Sequence, residues 1–148
     1  MKFFETNLMP ASFKLADFLS REDFDKLNYK QKLGLYGQQA AKYYLLKNKF
    51  EIIAENYFTR LGEIDLVARN DQGVRIVEVK TRTSRDWGEP YEAVHKYKLQ
   101  NLQRSSYIFM QNKGWLNKVN FQIDVCSVFL DKIEKKVKIK YFENVSLN

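Results

Sequence analysis

Apolar residues concentrate in two strand-length stretches in the middle of the chain, Glu63–Ala68 and Val74–Lys80. The segment between them, residues 70–73, reads Asn-Asp-Gln-Gly. These residue types tolerate the backbone geometry of a tight turn. The pattern therefore predicts a β-hairpin.

The register centred on this turn decides which side chains meet. It places Asp65 opposite Glu78 and Glu63 opposite Lys80, all on one face of the hairpin. Like charges opposed across a ladder are destabilising, so the two opposed acids predict a cation between them. The alternative is an ordinary solvent-exposed face, whose ion pairs contribute little to stability. The other face of the hairpin is apolar and predicts a buried surface: Ile64, Leu66, Ala68, Val77 and Val79.

The spacing of apolar residues predicts two helices and three further strands around the hairpin. Their order along the chain predicts an α/β fold with a mixed sheet flanked by helices, in a domain that spans residues 33–148. Residues 1–32 are too apolar for a disordered tail, and we expect an N-terminal helical extension there. The predicted helices are Ala11–Leu19 in the extension, Leu33–Asn48, and a segment from Pro90 to about Gln111; the predicted strands are Phe50–Tyr57, Phe121–Leu130 and Lys135–Tyr141.

The last predicted strand alternates strictly between lysines and apolar residues. Such a strand is buried on one face and solvated on the other. Its lysines also suit an outer strand, because charged residues discourage pairing with another sheet. The lysines are Lys136, Lys138 and Lys140, and the apolar residues are Val137, Ile139 and Tyr141.

A divalent metal is an economical partner for Asp65 and Glu78. Mg²⁺ is bound through one or two carboxylates together with waters and phosphate oxygens, and Mn²⁺ accepts similar ligands. Lys80 follows Glu78 by two residues and shares its face. A metal ion beside an ammonium group suits the attack of water on a phosphodiester, so the pattern favours a nuclease.

Two sequence runs in the hairpin resemble a known family. The order of an Asp, a gap and then Glu-x-Lys resembles the PD-(D/E)XK nuclease superfamily. The runs Gly62–Leu66 (Gly-Glu-Ile-Asp-Leu) and Val77–Lys80 (Val-Glu-Val-Lys) more closely resemble the bacterial YraN family of endonuclease-like proteins. Further matching positions, Asn56 and Asp124 among them, extend the resemblance over roughly residues 34–141.

The resemblance implies a restriction-endonuclease-like fold and a set of site residues. Asp65 and Glu78 would hold Mg²⁺ or Mn²⁺, with the Val79 carbonyl oxygen as a further ligand. Lys80 would orient the attacking water, and Glu63 would steady Lys80 or a metal-bound water.

Gln38 departs from the pattern of the resembled family, which usually carries Glu at this helix position. An acid there helps to hold the metal in related nucleases. Glutamine offers an amide oxygen without a charge, so Gln38 is either a weaker metal ligand or a plain solvent-facing residue. The departure leaves open a second function, a nucleic-acid-binding module without catalysis.

The net charge of +7 favours a polyanionic partner, and we expect nucleic acid, DNA in particular. Arg82 and Arg85 after the hairpin, with Lys98 and Arg104 on the following helix, are the candidate phosphate contacts.

The content of cysteine and histidine excludes several kinds of site. A single cysteine, Cys126, excludes an internal disulfide and a Cys-rich zinc site, and a single histidine makes a His-based site improbable. We expect no signal peptide, no membrane-spanning segment and a cytoplasmic location. A third function is a protein-interaction domain in which the aromatic-rich N-terminal extension makes a homodimer.

Overall fold

The computed structural model describes residues 2–7, 25–83, 96–131 and 136–145. Its elements, in chain order, are strand β1 (Lys2–Asn7), helix α1 (Tyr29–Lys47), strands β2 (Glu51–Thr59), β3 (Gly62–Asn70) and β4 (Gly73–Arg82), helix α2 (Lys96–Asn112), and strands β5 (Phe121–Asp131) and β6 (Lys136–Phe142). The predicted helix Ala11–Leu19 and the predicted helix start at Pro90 lie outside the described residues.

The six strands form one sheet in the order β1-β6-β5-β4-β3-β2. Strands β4 and β5 are parallel, and every other neighbouring pair is antiparallel. The predicted α/β architecture, a mixed sheet flanked by helices, is therefore confirmed.

Each helix covers one face of the sheet with its own hydrophobic core. The α1 core joins Ala41 and Leu45 to apolar residues of the four central strands, such as Leu66 and Val128. The α2 core joins residues such as Phe109 to the opposite sides of the same strands. Cys126 lies in the α1 core, and burial raises the pKa of its thiol, as expected for a small structural residue.

The first residues of the N-terminal extension form a strand, which the sequence pattern did not predict. Strand β1 pairs antiparallel with β6, from Lys2 opposite Tyr141 to Asn7 opposite Lys136. The lysine-bearing strand β6 is thus an inner strand, and the expectation that it forms the sheet edge was wrong. Its predicted alternation is correct, because Val137, Ile139 and Tyr141 are all buried.

Helix α1 begins at Tyr29, four residues before the predicted start at Leu33. The cause is a capping box, in which the Asn28 side chain accepts from the Gln31 N–H and the Gln31 side chain accepts from the Asn28 N–H. The division into an extension of residues 1–32 and a domain of residues 33–148 remains a prediction.

The predicted hairpin and its register are correct as far as Leu66 and Val77. Asn70 lies opposite Gly73 at the turn, and the Asn70 side chain accepts a hydrogen bond from the Gln72 N–H. Gly73 has φ +136°, a conformation that favours glycine.

Candidate metal and nucleic-acid site

The ladder between β3 and β4 stops one step before the predicted acidic pair. Its last pair is Leu66 and Val77. The next residue, Asp65, turns its carboxylate towards β4, where Oδ2 accepts a hydrogen bond of 2.8 Å from the Val79 N–H. The predicted direct pairing of Asp65 with Glu78 was therefore wrong in detail, because a side chain has taken the place of a backbone partner.

The departure of Asp65 from the ladder also changes the side of the neighbouring residue. Leu66 packs in the α1 core, but Ile64 packs in the α2 core. Strict alternation would put both on one side, so the expectation that Ile64 shares a face with Leu66 was wrong. Asp65 lies at the change of side, and for this reason its carboxylate reaches the neighbouring strand.

Glu78 is the buried acid of the site and has two lysines on one carboxylate oxygen. Its side chain is only 2% exposed. The Nζ of Lys80 lies 3.3 Å from Oε1, and the Nζ of Lys98, on α2, contacts the same oxygen. Lys80 thus pairs with Glu78, whereas the predicted ladder pair of Lys80 with Glu63 does not form; Glu63 pairs with Phe58 of β2.

Burial and mutual charge shift the acid–base properties of the site. Burial, followed by the charge of Glu78, raises the pKa of Asp65 from 3.8 to about 7. Lys80 connects the two acids, because it lines the cleft with Asp65 and pairs with Glu78. Burial and the neighbouring Lys98 lower the pKa of Lys80. Burial also disfavours the charged form of Lys98, but the hydrogen bond from Lys98 to Glu78 outweighs it, and the pKa of Lys98 is raised.

Asp65 lines an open cleft of about 370 Å³ between α1 and the ends of β3 and β4. Gln38 of α1 lines the same cleft and donates through Nε2 to Asn56 Oδ1. The structure therefore places Gln38 beside the predicted site, where its amide oxygen is the atom suited to a metal. The other lining residues are Lys30, Leu33, Gly34, Asn56, Glu63, Val79, Lys80 and Thr81.

A smaller cavity of about 100 Å³ lies on the other side of Glu63. Glu78 and Lys98 line it, together with Asn101 and Ser105 of α2. Ser105 Oγ lies 2.8 Å from Thr59 Oγ1, so a hydrogen bond ties α2 to the turn that begins β3. Glu63 borders both cavities and marks the boundary between them.

The predicted phosphate contacts are only partly gathered at the site. Lys98 is in it, through Glu78. Arg82 is exposed at the end of β4, directly after the cleft residue Thr81. Arg104 is exposed on α2 and lines neither cavity, and Arg85 lies outside the described residues.

Sequence reasoning missed three polar residues of the cleft, Lys30, Asn56 and Thr81. Lys30 was assigned to the extension, and the capping box at Asn28 and Gln31 would have placed it in the first turn of α1. Asn56 stood only among the positions of family resemblance. It has φ +47°, a conformation that asparagine tolerates better than most residues, but no sequence pattern revealed its contact with Gln38.

Asp124 is fully buried and belongs to a separate polar cluster. It accepts hydrogen bonds from Tyr141 Oη at 2.6 Å, from Asn144 N at 2.9 Å and from Gln122 Nε2 at 2.8 Å. Arg75 Nη1 lies 3.5 Å from its Oδ2. These partners give Asp124 a structural role, in which it holds neighbouring strands together.

The oxygen atoms around Asp65 fit a hard divalent cation, though sparsely. Two carboxylates, one amide oxygen and a backbone carbonyl are enough for Mg²⁺, which keeps several waters. In the described part of the chain, no three His, Cys, Asp or Glu side chains are grouped to hold a metal. A cation would therefore depend on Asp65, Glu78 and uncharged oxygens.

Comparison with known families places the chain among related proteins. The profile of the family described as "Uncharacterised protein family UPF0102" matches residues 37–128. The chain belongs to the UPF0102 family. This is the YraN family that the two hairpin runs resemble.

UPF0102 relatives match most of the chain. A UPF0102 protein of Alkaliphilus oremlandii is 41% identical over 115 residues, which cover 77% of this chain and 97% of the relative. A UPF0102 protein of Clostridium acetobutylicum is 36% identical over 114 residues, which cover 77% of this chain and 93% of the relative.

Among solved structures, Pyrococcus furiosus SfsA in complex with Ca²⁺ aligns with 77% of this chain and 63% of its own. The identity is 15% and the TM-score is 0.36, a likeness too low to support an argument about the site.

Neither described helix has both the length and the apolar character needed to cross a membrane.

Proposed function

We propose that this protein is a divalent-metal-dependent nuclease that hydrolyses phosphodiester bonds in nucleic acid, with branched or single-stranded DNA as the expected substrate. The observation that carries the proposal is the convergence of Asp65, Glu78 and Lys80 at the end of one hairpin. Asp65, whose pKa is raised, and Lys80, whose pKa is lowered, line the same cleft, and such shifts in a cleft are typical of a catalytic site. Membership of a family with a nuclease-like fold supports the same conclusion.

Asp65 and Glu78 would hold Mg²⁺ or Mn²⁺, with the Val79 carbonyl oxygen and the Gln38 amide oxygen as further ligands. When bound, the metal supplies a water of lowered pKa and neutralises charge on the phosphate. Asp65 would bind it as the carboxylate, held in place by the Val79 N–H.

Lys80 would have two roles: it would exchange a proton with the attacking water, and it would stabilise the charge of the reacting phosphate. Because its pKa is lowered, Nζ can pass between ammonium and amine more readily than an exposed lysine can. The ammonium form would stabilise negative charge on the phosphate oxygens. Lys98, Arg82, Arg85 and Arg104 would contact phosphates along the strand, and Glu63 would orient water between the two cavities.

The decisive experiment compares site variants in a cleavage assay. We expect Asp65→Asn, Glu78→Gln and Lys80→Met each to lower Mg²⁺-dependent cleavage of single-stranded or branched DNA by at least about a hundredfold, because each removes one part of the metal and charge machinery. The measurement is the cleavage rate on labelled DNA with Mg²⁺ or Mn²⁺.

The matched control is Asp71→Asn, which removes an exposed acid from the hairpin turn far along the strands from the site. It should cleave like the wild type. Wild-type activity in any of the three site variants would overturn the assignment, once circular dichroism has shown that each is folded.

A second candidate is a nucleic-acid-binding module without catalysis. Two observations favour it: Gln38 carries no charge where the resembled family usually has an acid, and Lys98 contacts the acid that would bind metal. Its signature is DNA binding that weakens steeply with salt, because phosphate contacts release counterions, together with no nicking in Mg²⁺ or Mn²⁺. A homodimer built on residues 1–32 and a cytoplasmic location remain predictions.

A further inference from the structure

The two lysines at Glu78 differ in what holds them. Lys80 belongs to β4, two residues after Glu78, and its side chain is 19% exposed. Lys98 comes from α2, and its side chain is 48% exposed. Its neighbour Leu99 is buried in the α2 core, so the backbone of Lys98 is fixed while its long side chain extends towards solvent.

Both ammonium groups are on the same oxygen, Oε1 of Glu78. One buried carboxylate thus receives two positive charges. A divalent ion bound to Glu78 would add two further positive charges within a few ångströms of Lys98. Repulsion at that range is strong where water is scarce.

We propose that Lys98 is an internal counterion of Glu78, which a divalent cation must displace and which then turns to a phosphate of the substrate. The inference rests on the proposed metal site. Lys98 is the lysine that moves away from Glu78, because its side chain is more exposed than that of Lys80. The cavity of about 100 Å³ beside Glu78 and Lys98 gives the rearranged groups room for a few waters.

Two consequences follow from this exchange of partners. Lys98 lowers the affinity of the protein for metal, because breaking its contact with Glu78 is part of metal binding. Metal also increases the affinity for polyanions, because it frees an ammonium group for phosphate. By linkage, a polyanion must increase the affinity for metal by the same factor.

The test is a calorimetric titration with Mn²⁺ in the absence of nucleic acid. We expect Lys98→Met to bind Mn²⁺ roughly tenfold more tightly than the wild type, since one opposing charge next to the metal is gone. Lys96→Met is the matched control: it removes an exposed lysine two positions earlier on the same helix, where the side chain faces another direction. It should change the affinity by less than about twofold.

A second measurement addresses the exchange itself. Ca²⁺ should tighten the binding of a single-stranded oligonucleotide to the wild type by a larger factor than to Lys98→Met. Lys98→Gln serves as a second variant, with circular dichroism to show that both are folded.

The outcomes separate the two proposals. Equal or weaker Mn²⁺ binding by Lys98→Met and Lys98→Gln, with wild-type binding intact, would overturn the role of Lys98 and leave the metal site standing. If none of the proteins binds Mn²⁺, both the counterion and the metal-dependent function are overturned. Tighter binding that is confined to the Lys98 variants, with a smaller Ca²⁺ effect on DNA binding, supports the exchange.

Discussion

The ionised form of Asp65 destabilises the fold, but the proposed metal site requires it. Asp65 is a half-buried acid next to Glu78, and its carboxylate takes the place of a ladder partner by accepting from the Val79 N–H. Burial and the charge of Glu78 both disfavour its ionised form. Such a residue lowers the stability of the fold at neutral pH, and functional sites often contain residues of this kind.

The raised pKa of Asp65 predicts how stability depends on pH. Between pH 3.8 and about 7 the folded protein holds the Asp65 proton and the unfolded chain has lost it. The folded state binds more protons in this window, so the contribution of Asp65 to stability is greatest below it and falls as the pH rises through it. At pH 8 we expect Asp65→Asn to be more stable than the wild type by about 2 kcal/mol, and the difference should disappear near pH 4.

Urea unfolding of both proteins at several pH values measures this effect. The asparagine retains an oxygen that can accept from the Val79 N–H, so the substitution removes the charge and keeps the hydrogen bond. Asp71→Asn, in the exposed turn, controls for the loss of an acid. If Asp65→Asn were less stable than the wild type at pH 8, the ionised carboxylate of Asp65 would not destabilise the fold, and the prediction would be wrong.

At the scale of elements, the position of α1 against β4 depends on one glycine. A Cβ atom at Gly37 would overlap the side chain of Thr81. The absence of a side chain lets the helix approach the strand, and this approach brings Gln38 to the cleft that Thr81 and Asp65 line.

Gly37→Ala should therefore disturb both the packing and the site. We expect a loss of about 2 kcal/mol in the free energy of unfolding, because the added methyl group pushes α1 away from β4. The affinity for Mn²⁺ should fall as Gln38 moves with the helix. Urea unfolding and calorimetry are the two measurements.

Gly34→Ala, one helical turn earlier, is the matched control. A Cβ atom at Gly34 meets nothing within 4 Å, so alanine there should stabilise the helix by up to about 1 kcal/mol. If the two alanines had the same effect on stability and on Mn²⁺ binding, the close contact at Thr81 would not be what positions the helix.

At the scale of the whole molecule, the Asp124 cluster joins parts of the chain that are distant in sequence. The carboxylate lies on β5 and contacts Arg75 of β4, Tyr141 of β6 and the backbone N–H of Asn144. Burial raises the pKa of Asp124, and its hydrogen bonds and Arg75 oppose that shift. The cluster fixes β4, β5 and β6 relative to one another, and none of its side chains lines the cleft.

Removing the buried acid should destabilise the fold strongly. We expect Asp124→Ala to lose about 3 kcal/mol, because the largely buried guanidinium of Arg75 is left without its carboxylate. Tyr141→Phe, which deletes one hydrogen bond and retains the ring, should lose about 1 kcal/mol. Urea unfolding measures both losses.

Mn²⁺ binding by Tyr141→Phe tests the separation of this cluster from the metal site. The affinity should equal that of the wild type. A clear loss of Mn²⁺ affinity would mean that Asp124 supports the metal site and is more than a structural acid.

Patterns within a short stretch of the chain were predictable from the sequence. The β3–β4 hairpin, its register up to Leu66 and the burial of Val137, Ile139 and Tyr141 all follow from turn residues and alternation, which are local properties. The family resemblance rested on two runs in the same hairpin and is confirmed. The end of the ladder at Asp65 was not predictable, because ideal alternation cannot reveal where a side chain replaces a backbone partner.

The sequence by itself determined the β3–β4 hairpin, the alternation along β6, and which acids and lysine lie towards the end of the hairpin, because turn chemistry and periodicity act between near neighbours. Only the tertiary structure decided that Lys98 contacts Glu78 and that Gln38 meets Asn56 in the cleft. It also decided that β1 pairs with β6 at the edge of the sheet. These contacts join residues far apart in the chain, and their geometry depends on how the helices pack on the sheet, which no short stretch of sequence specifies.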